Sequence, residues 1–77
     1  MSELKDYIVK KRSVRISGHQ TSITLEDDFW DEIKAIAKRQ KRSISDLISE
    51  LDENQAHVNL SSALRLYVLR DLKARLD

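Results

Sequence analysis

The stretch His19–Trp30, HQTSITLEDDFW, changes its pattern halfway, and this change decides the fold. Thr21, Ile23 and Leu25 alternate with polar residues, a period of two that is typical of a half-buried strand. Three acidic residues, Glu26–Asp28, follow at once and suit the first turn of a helix, where the helix dipole favours negative charge. A short strand cannot satisfy its own backbone hydrogen bonds, so this one requires a partner strand.

Helices are predicted for most of the chain after this strand. The first covers residues 26–39, where apolar residues recur at spacings of three and four. A second begins at Ser43, because Ser43 and Asp46 have the spacing of a capping box. A third covers roughly residues 60–76, and its broad apolar side predicts contact with more than one neighbour.

The residues before the strand are harder to assign. Residues 1–12 are polar and basic and are predicted to form a flexible arm. The run Arg12–Ser17, RSVRIS, alternates like a strand, but an extended lead-in fits the pattern equally well. Gly18, the one glycine of the chain, ends this run.

Composition limits the class of protein. A chain of 77 residues forms one domain with a modest core, and it has no cysteine for disulfides or thiolate metal sites. Association with a second subunit is therefore the expected source of additional buried surface. No apolar run approaches the length of a membrane span, and a cytoplasmic location is expected. Only two histidines occur, His19 and His57, far apart and outside any metal-ligand spacing, so neither an enzyme nor a cofactor is predicted.

A second copy of the chain is the predicted partner of the strand. Antiparallel pairing across a two-fold axis would turn one strand per chain into a two-stranded ribbon resting on helices. Its outer face would carry Gln20, Ser22 and Thr24. Such a ribbon fits the major groove of B-DNA, where Gln can pair with adenine and hydroxyl groups can bond several base edges. On pattern alone, these positions could equally be an ordinary solvent-facing strand surface.

Basic residues near the second predicted helix point to phosphate contacts. Residues 38–42, KRQKR, carry a net charge of +4 directly before Ser43 and Ile44 open that helix. The N–H groups of a helix N-terminus form an anion site, so this segment is expected to bind DNA phosphates and set the position of the ribbon. Additional contacts to the DNA backbone are expected from the arm, through Lys10, Lys11, Arg12 and Arg15.

The segment TSITLEDDFWDEIKAIAKRQKRSISDLISEL, residues 21–51, resembles a ribbon-helix-helix domain, the dimeric DNA-binding fold of many bacterial, phage and plasmid repressors and of many antitoxins. The resemblance implies base-reading residues at Gln20, Ser22 and Thr24. It implies phosphate-binding residues at Lys41, Arg42, Ser43 and Ile44. It implies a dimer core at Ile23, Leu25, Trp30, Ile33, Leu47 and Ile48. The chain departs from the family in having Gln40 and Lys41 where Gly or Asn is usual, and no basic residue among the base readers.

The resulting prediction is a mainly α-helical homodimer with one short strand per chain, an intermolecular antiparallel ribbon and an extra C-terminal helix. Residues 1–12 form the arm, residues 13–54 the ribbon-helix-helix domain, and residues 59–77 the helix that packs on the dimer. The predicted function is a sequence-specific transcriptional regulator that represses genes and can associate further on double-stranded DNA. The alternative is an antitoxin or another protein-interaction module that uses the C-terminal helix. It also stays open whether residues 43–52 or residues 60–72 correspond to the second helix of the family.

Overall fold

A computed structural model describes residues 8–54 and 59–76 of the 77-residue chain. These residues form two antiparallel strands, β1 (Val9–Ile16) and β2 (His19–Glu26), followed by three helices, α1 (Asp27–Arg39), α2 (Ile44–Asn54) and α3 (Leu60–Leu76). The helices lie where the apolar spacing predicts them. Among the described residues, no helix is long and apolar enough to cross a membrane.

The two strands form a hairpin within one chain. Ile16 lies opposite His19, so only Ser17 and Gly18 make the turn, and both have positive φ angles, 50° and 82°. This sign pattern is that of a type I′ turn, whose twist matches that of the flanking strands and which glycine adopts without strain. The prediction of a single strand per chain is therefore wrong: the described part of the chain has two strands, and β1 is a partner of β2.

Strand β1 also corrects the boundary of the predicted arm. It begins at Val9, so residues 9–12 belong to a regular strand and pair with residues 23–26 of β2. Residues 1–7 of the arm lie outside the described part of the chain. The pairing is favoured because Val14 and Ile16 of β1 fall on the same face of the sheet as Ile23 and Leu25, and all four are buried.

The hydrophobic core is complete within a single chain. Five residues of the predicted dimer core are at most 1% exposed: Ile23, Leu25, Ile33, Leu47 and Ile48. Trp30, the sixth, is partly buried and packs against this cluster. Full burial of one such aliphatic side chain contributes about 1.5–3 kcal/mol relative to exposure. The sheet and the three helices of one chain thus bury these predicted core residues without a second subunit.

Candidate nucleic-acid interface

The outer face of the hairpin carries two parallel rows of exposed side chains. Gln20, Ser22 and Thr24 form the row on β2, on the face opposite Ile23 and Leu25, as the alternation predicts. The row on β1 consists of residues directly opposite them in the pairing, namely Lys11, Ser13 and Arg15. The row on β2 has no basic residue, but Lys11 and Arg15 on β1 give the outer face two positive charges.

Alternation along β1 separates the four predicted arm residues into two pairs. Lys10 and Arg12 lie on the helix-facing side, where Lys10 Nζ is 2.9 Å from Asp27 Oδ2 and Arg12 donates to Asp27 Oδ1. The Arg12 guanidinium also stacks 4.8 Å from the centre of the Trp30 ring. The hydrogen bond from Lys10, with the charges of Lys10 and Arg12, lowers the pKa of the Asp27 carboxyl. These two cations are therefore engaged in holding the hairpin on α1.

Lys11 and Arg15, unlike Lys10 and Arg12, point away from the helices. Both side chains are exposed on the outer face, and neither forms an ion pair with any residue in the ranges 8–54 and 59–76. Their place beside Gln20 and Thr24 follows from the register of the hairpin. The signal in the sequence was the two-residue Ser-Gly turn between two alternating runs, a common hairpin pattern.

The turn between α1 and α2 ends the first helix in a Schellman motif. The N–H of Lys41 donates to the carbonyl of Lys38, and the N–H of Arg42 donates to that of Ala37, both at 3.1 Å. Lys41 has a φ of 56°, the left-handed conformation that this motif requires and that Gly or Asn usually provides. The turn is thus regular despite the departure from the family, and it leaves the Lys41 side chain exposed.

Ser43 caps α2 as the sequence predicts. Its Oγ accepts a hydrogen bond of 3.0 Å from the N–H of Asp46, and its carbonyl accepts one from the N–H of Leu47. The N–H groups of Ile44 and Ser45 have no acceptor among the described residues. The start of α2 therefore keeps two backbone donors for an anion, close in sequence to the exposed Lys41.

Arg42 is held by neighbouring side chains. It forms a two-pronged ion pair with Glu50, at 3.0 and 3.2 Å, and its Nε donates to Gln40 at 2.7 Å. Gln40 in turn donates to the hydroxyl of Tyr67. The bond to Glu50 raises the pKa of Arg42 and lowers that of Glu50. Arg42 therefore ties the turn to α2 and, through Gln40, to α3.

The start of α3 covers part of the outer edge of β2. Asn59 caps the helix through hydrogen bonds to the N–H groups of Ser61 and Ser62. Ser61 has another role: its Oγ accepts the Thr24 N–H at 3.0 Å. Arg65 reaches the Thr24 carbonyl at 3.4 Å and pairs with Glu26 at 3.1 Å. The contact between Ser61 and Thr24 joins two elements far apart in the chain, and no pattern in the sequence indicated it.

The side of α3 that faces away from the core is rich in leucine. Leu64 and Val68 are buried, whereas four leucines of the same helix are 41–78% exposed: Leu66, Leu69, Leu72 and Leu76. A small open cavity of about 140 Å³ lies between α2 and α3, lined by Leu51, Ala63, Leu66, Tyr67 and Arg70. The broad apolar side predicted for this helix is therefore present, and a large part of it lacks a neighbour among the described residues.

Comparison with known proteins gives two results. The sequence matches the ribbon-helix-helix domain family over residues 9–72. Its structure is similar to that of an uncharacterized protein from Bordetella pertussis Tohama I, with 32% sequence identity and a TM-score of 0.79. That similarity covers 97% of this chain but 64% of the other, so the chain spans slightly less than two thirds of its relative. No curated protein matches the sequence.

Proposed function

Because this chain belongs to the ribbon-helix-helix domain family, whose members typically bind DNA and are not enzymes, we propose that it is a sequence-specific transcriptional regulator of the repressor type. The observation that carries this proposal is the outer face of the hairpin. It presents six exposed polar side chains in two rows, and the two cations among them are outside the ion pairs of the described residues.

The proposed binding mode places this face in the major groove. A two-stranded ribbon fits that groove, and the Gln20 amide can form two hydrogen bonds with adenine. Ser22 and Thr24 offer hydroxyl groups that bond several base edges with less selectivity. Lys41 and the two backbone donors at the start of α2 would contact phosphates and fix the position of the ribbon. Arg42 would share its charge between Glu50 and the DNA.

We propose that the active form is a cytoplasmic homodimer. The exposed leucines of α3 support this, because proteins seldom leave a row of large apolar side chains in water. Light scattering on purified protein would test it. A mass of about 18 kDa is expected for a dimer, twice the 9.0 kDa of the chain. A chain that remains monomeric at micromolar concentrations and on DNA would contradict the dimer.

A second candidate function is binding to a protein, as in antitoxins of this fold. The leucines of α3 favour it as well, because an exposed apolar helix face can take a partner helix. The two candidates differ in their DNA dependence. A transcriptional regulator binds duplex DNA without any other protein. A module that serves only protein interaction does not bind DNA by itself and is recognised by binding to its protein partner.

Salt-dependent binding to duplex DNA tests the main proposal directly. The affinity should fall steeply with salt, with a logarithmic slope of about −0.9 for each phosphate contacted. Fragments of genomic DNA recovered with the purified protein should then share a common sequence. If no salt-dependent binding is observed at low ionic strength, the proposal of a DNA-binding regulator fails.

A further inference from the structure

We infer that a second copy of this chain docks on the groove between α2 and α3, so that the acidic α2 of each copy faces the basic α3 of the other. The inference rests on the proposed homodimer, for which it names a contact surface. This surface lies on the helices and includes no residue of β1 or β2. It is therefore compatible with any pairing of strands between subunits.

The floor of the groove is apolar. It is the open cavity of about 140 Å³ that Leu51 of α2 and Ala63, Leu66, Tyr67 and Arg70 of α3 line. Leu66 is 48% exposed there. The helix α3 thus carries apolar side chains on its groove side as well as on its core side, and a helix of this kind is normally covered on both.

The two helices beside the groove carry opposite charges. Four acidic residues and no basic residue give α2 a net charge of −4. Four basic residues and one acidic residue give α3 a net charge of +3. Within the ranges 8–54 and 59–76, no ion pair joins α2 to α3. The two charge sets are therefore not used to hold these helices together.

Internal ion pairs occupy only part of each charge set. On α2, Glu50 is bound to Arg42. On α3, Arg65 and Arg75 are bound to carboxylates of α1 or its N-cap, and Asp71 is bound to Arg39. The exposed residues of α2 and α3 that have no ion pair in the described part of the chain are Asp46, Asp52, Glu53, Arg70 and Lys73. The acids among them all lie on α2, and the cations all lie on α3.

Hydrogen bonds show which side of α2 is next to α3. Arg42 binds Glu50 and also Gln40, and Gln40 donates to the hydroxyl of Tyr67 on α3. Glu50 therefore lies on the side of α2 that is next to α3. Glu53 follows three residues later, so it is the neighbour of Glu50 on the same side of the helix. An exposed acid on α2 and the exposed cation of Tyr67's helix that lines the groove thus lie on its two sides.

Two-fold symmetry makes this surface complementary to itself. An axis through the groove places Arg70 and Lys73 of each copy on the acidic side of the other, next to Glu53, and makes the contact twice. It also covers Leu66 of both copies. A different protein would need its own acidic and basic sides at the same spacing, whereas a second copy has both. The charge pattern therefore favours a second copy as the occupant.

Charge reversal on either side of the groove tests the inference. Arg70→Glu would bring acids together at both contacts, and Glu53→Arg would bring cations together. Each variant should weaken self-association of the full chain by roughly tenfold or more, as measured by analytical ultracentrifugation over a range of concentrations. An equimolar mixture of the two variants should recover the association of the wild type, because both contacts then join opposite charges.

Leu66→Glu tests the apolar part of the surface and should abolish self-association, because it places a charge in the covered groove. Two controls should leave the association unchanged. Asp52→Arg reverses a charge of α2 on a side that does not face Glu50, two residues away. Leu76→Glu changes an exposed leucine of α3 that does not line the groove. All the substituted side chains are exposed, and denaturation curves would verify that each variant folds.

The outcomes separate this inference from the proposed function. If the wild type self-associates and the two charge reversals do not weaken it, the copies meet elsewhere and the inference is overturned, whereas the proposed homodimer stands. If both reversals weaken it and the mixture does not recover it, the two residues do not meet between copies, and the inference is overturned as well. A wild type that stays monomeric would overturn the inference and the proposed homodimer together and would assign the groove to another protein. DNA binding by the wild type is measured independently of all these results.

Discussion

The backbone N–H of Thr24 in β2 donates to the hydroxyl of Ser61 in α3, across 3.0 Å. This bond joins the outer edge of the sheet to the first turn of the last helix, and Ser61 is only 8% exposed. A sheet edge covered in this way has fewer backbone groups left for pairing with another chain. The hairpin and α3 therefore depend on each other.

Replacing Ser61 by Ala should destabilise the fold. The Thr24 N–H would lose its acceptor at a partly buried site, which costs about 1–3 kcal/mol. Chemical denaturation would measure the free energy of unfolding. Ser62→Ala is the matched control, because it changes the same residue type in the same helical turn at an exposed position. Equal effects of the two substitutions would show that the Thr24 contact adds nothing to stability.

Lys41→Asn should stabilise the fold and weaken DNA binding. Asparagine accepts the left-handed conformation of residue 41 better than lysine, so the free energy of unfolding should rise by a few tenths of a kcal/mol to about 1 kcal/mol. The same change removes a proposed phosphate contact, so DNA affinity should fall for all sequences and the salt slope should decrease by about one. Denaturation and DNA titrations at several salt concentrations measure the two effects. Unchanged DNA binding would exclude Lys41 from the interface.

Gln20→Ala should relax the sequence preference of the protein. Loss of a two-pronged contact to adenine costs about 1–3 kcal/mol of discrimination at one base pair. Binding to the preferred duplex and to duplexes changed at that base pair would measure this. The affinity for unrelated DNA should stay close to that of the wild type, because Gln20 carries no charge. An equal loss on all duplexes would contradict base reading by Gln20.

The free energy of unfolding should decrease at low pH because Asp27 becomes protonated. Its pKa is lowered below 3.8 in the folded chain, chiefly by the hydrogen bond from Lys10, so the unfolded chain binds more protons in acid. The ion pairs of Asp27 with Lys10 and Arg12 therefore stabilise the fold at pH values above the pKa of Asp27 in the unfolded chain. This stabilisation is lost as the pH falls through the pKa of Asp27 in the folded chain.

Denaturation curves of wild type and Asp27→Asn between pH 7 and pH 2 would measure this dependence. The wild type should be the more stable protein near pH 7, and the difference should shrink below about pH 4. Asp28→Asn, at an exposed neighbouring position, is the control. A difference that stays constant over this range would show that the ion pairs of Asp27 do not stabilise the fold.

Helix positions, caps and the two faces of β2 were predictable because they depend on local chemistry. The alternation of Ile23 and Leu25 with polar neighbours determined which side chains of β2 face outward, and the observed burial agrees. Ser43 caps α2 at the position that the spacing to Asp46 indicates. Each of these features involves residues a few positions apart, so a short stretch contains the necessary information.

The strand partner was not predictable in the same way. Both a second copy of β2 and the preceding run Arg12–Ser17 have the alternation that pairing requires. The turn at Ser17 and Gly18 and the burial of Val14 and Ile16 beside β2 favour the partner in the same chain. This choice depends on contacts between elements, including the cover that Ser61 gives to the other edge.

The resemblance of residues 21–51 indicated the family, and spacing and charge along the chain indicated the helices and a polar strand face next to a basic turn. Which cations are engaged and which are exposed depended on the three-dimensional arrangement. Lys10 and Arg12 meet Asp27 because the hairpin register turns them toward α1, and the same register turns Lys11 and Arg15 toward solvent beside Gln20. In a strand, adjacent residues point to opposite faces, so the pairing register alone assigns these four similar charges to different roles.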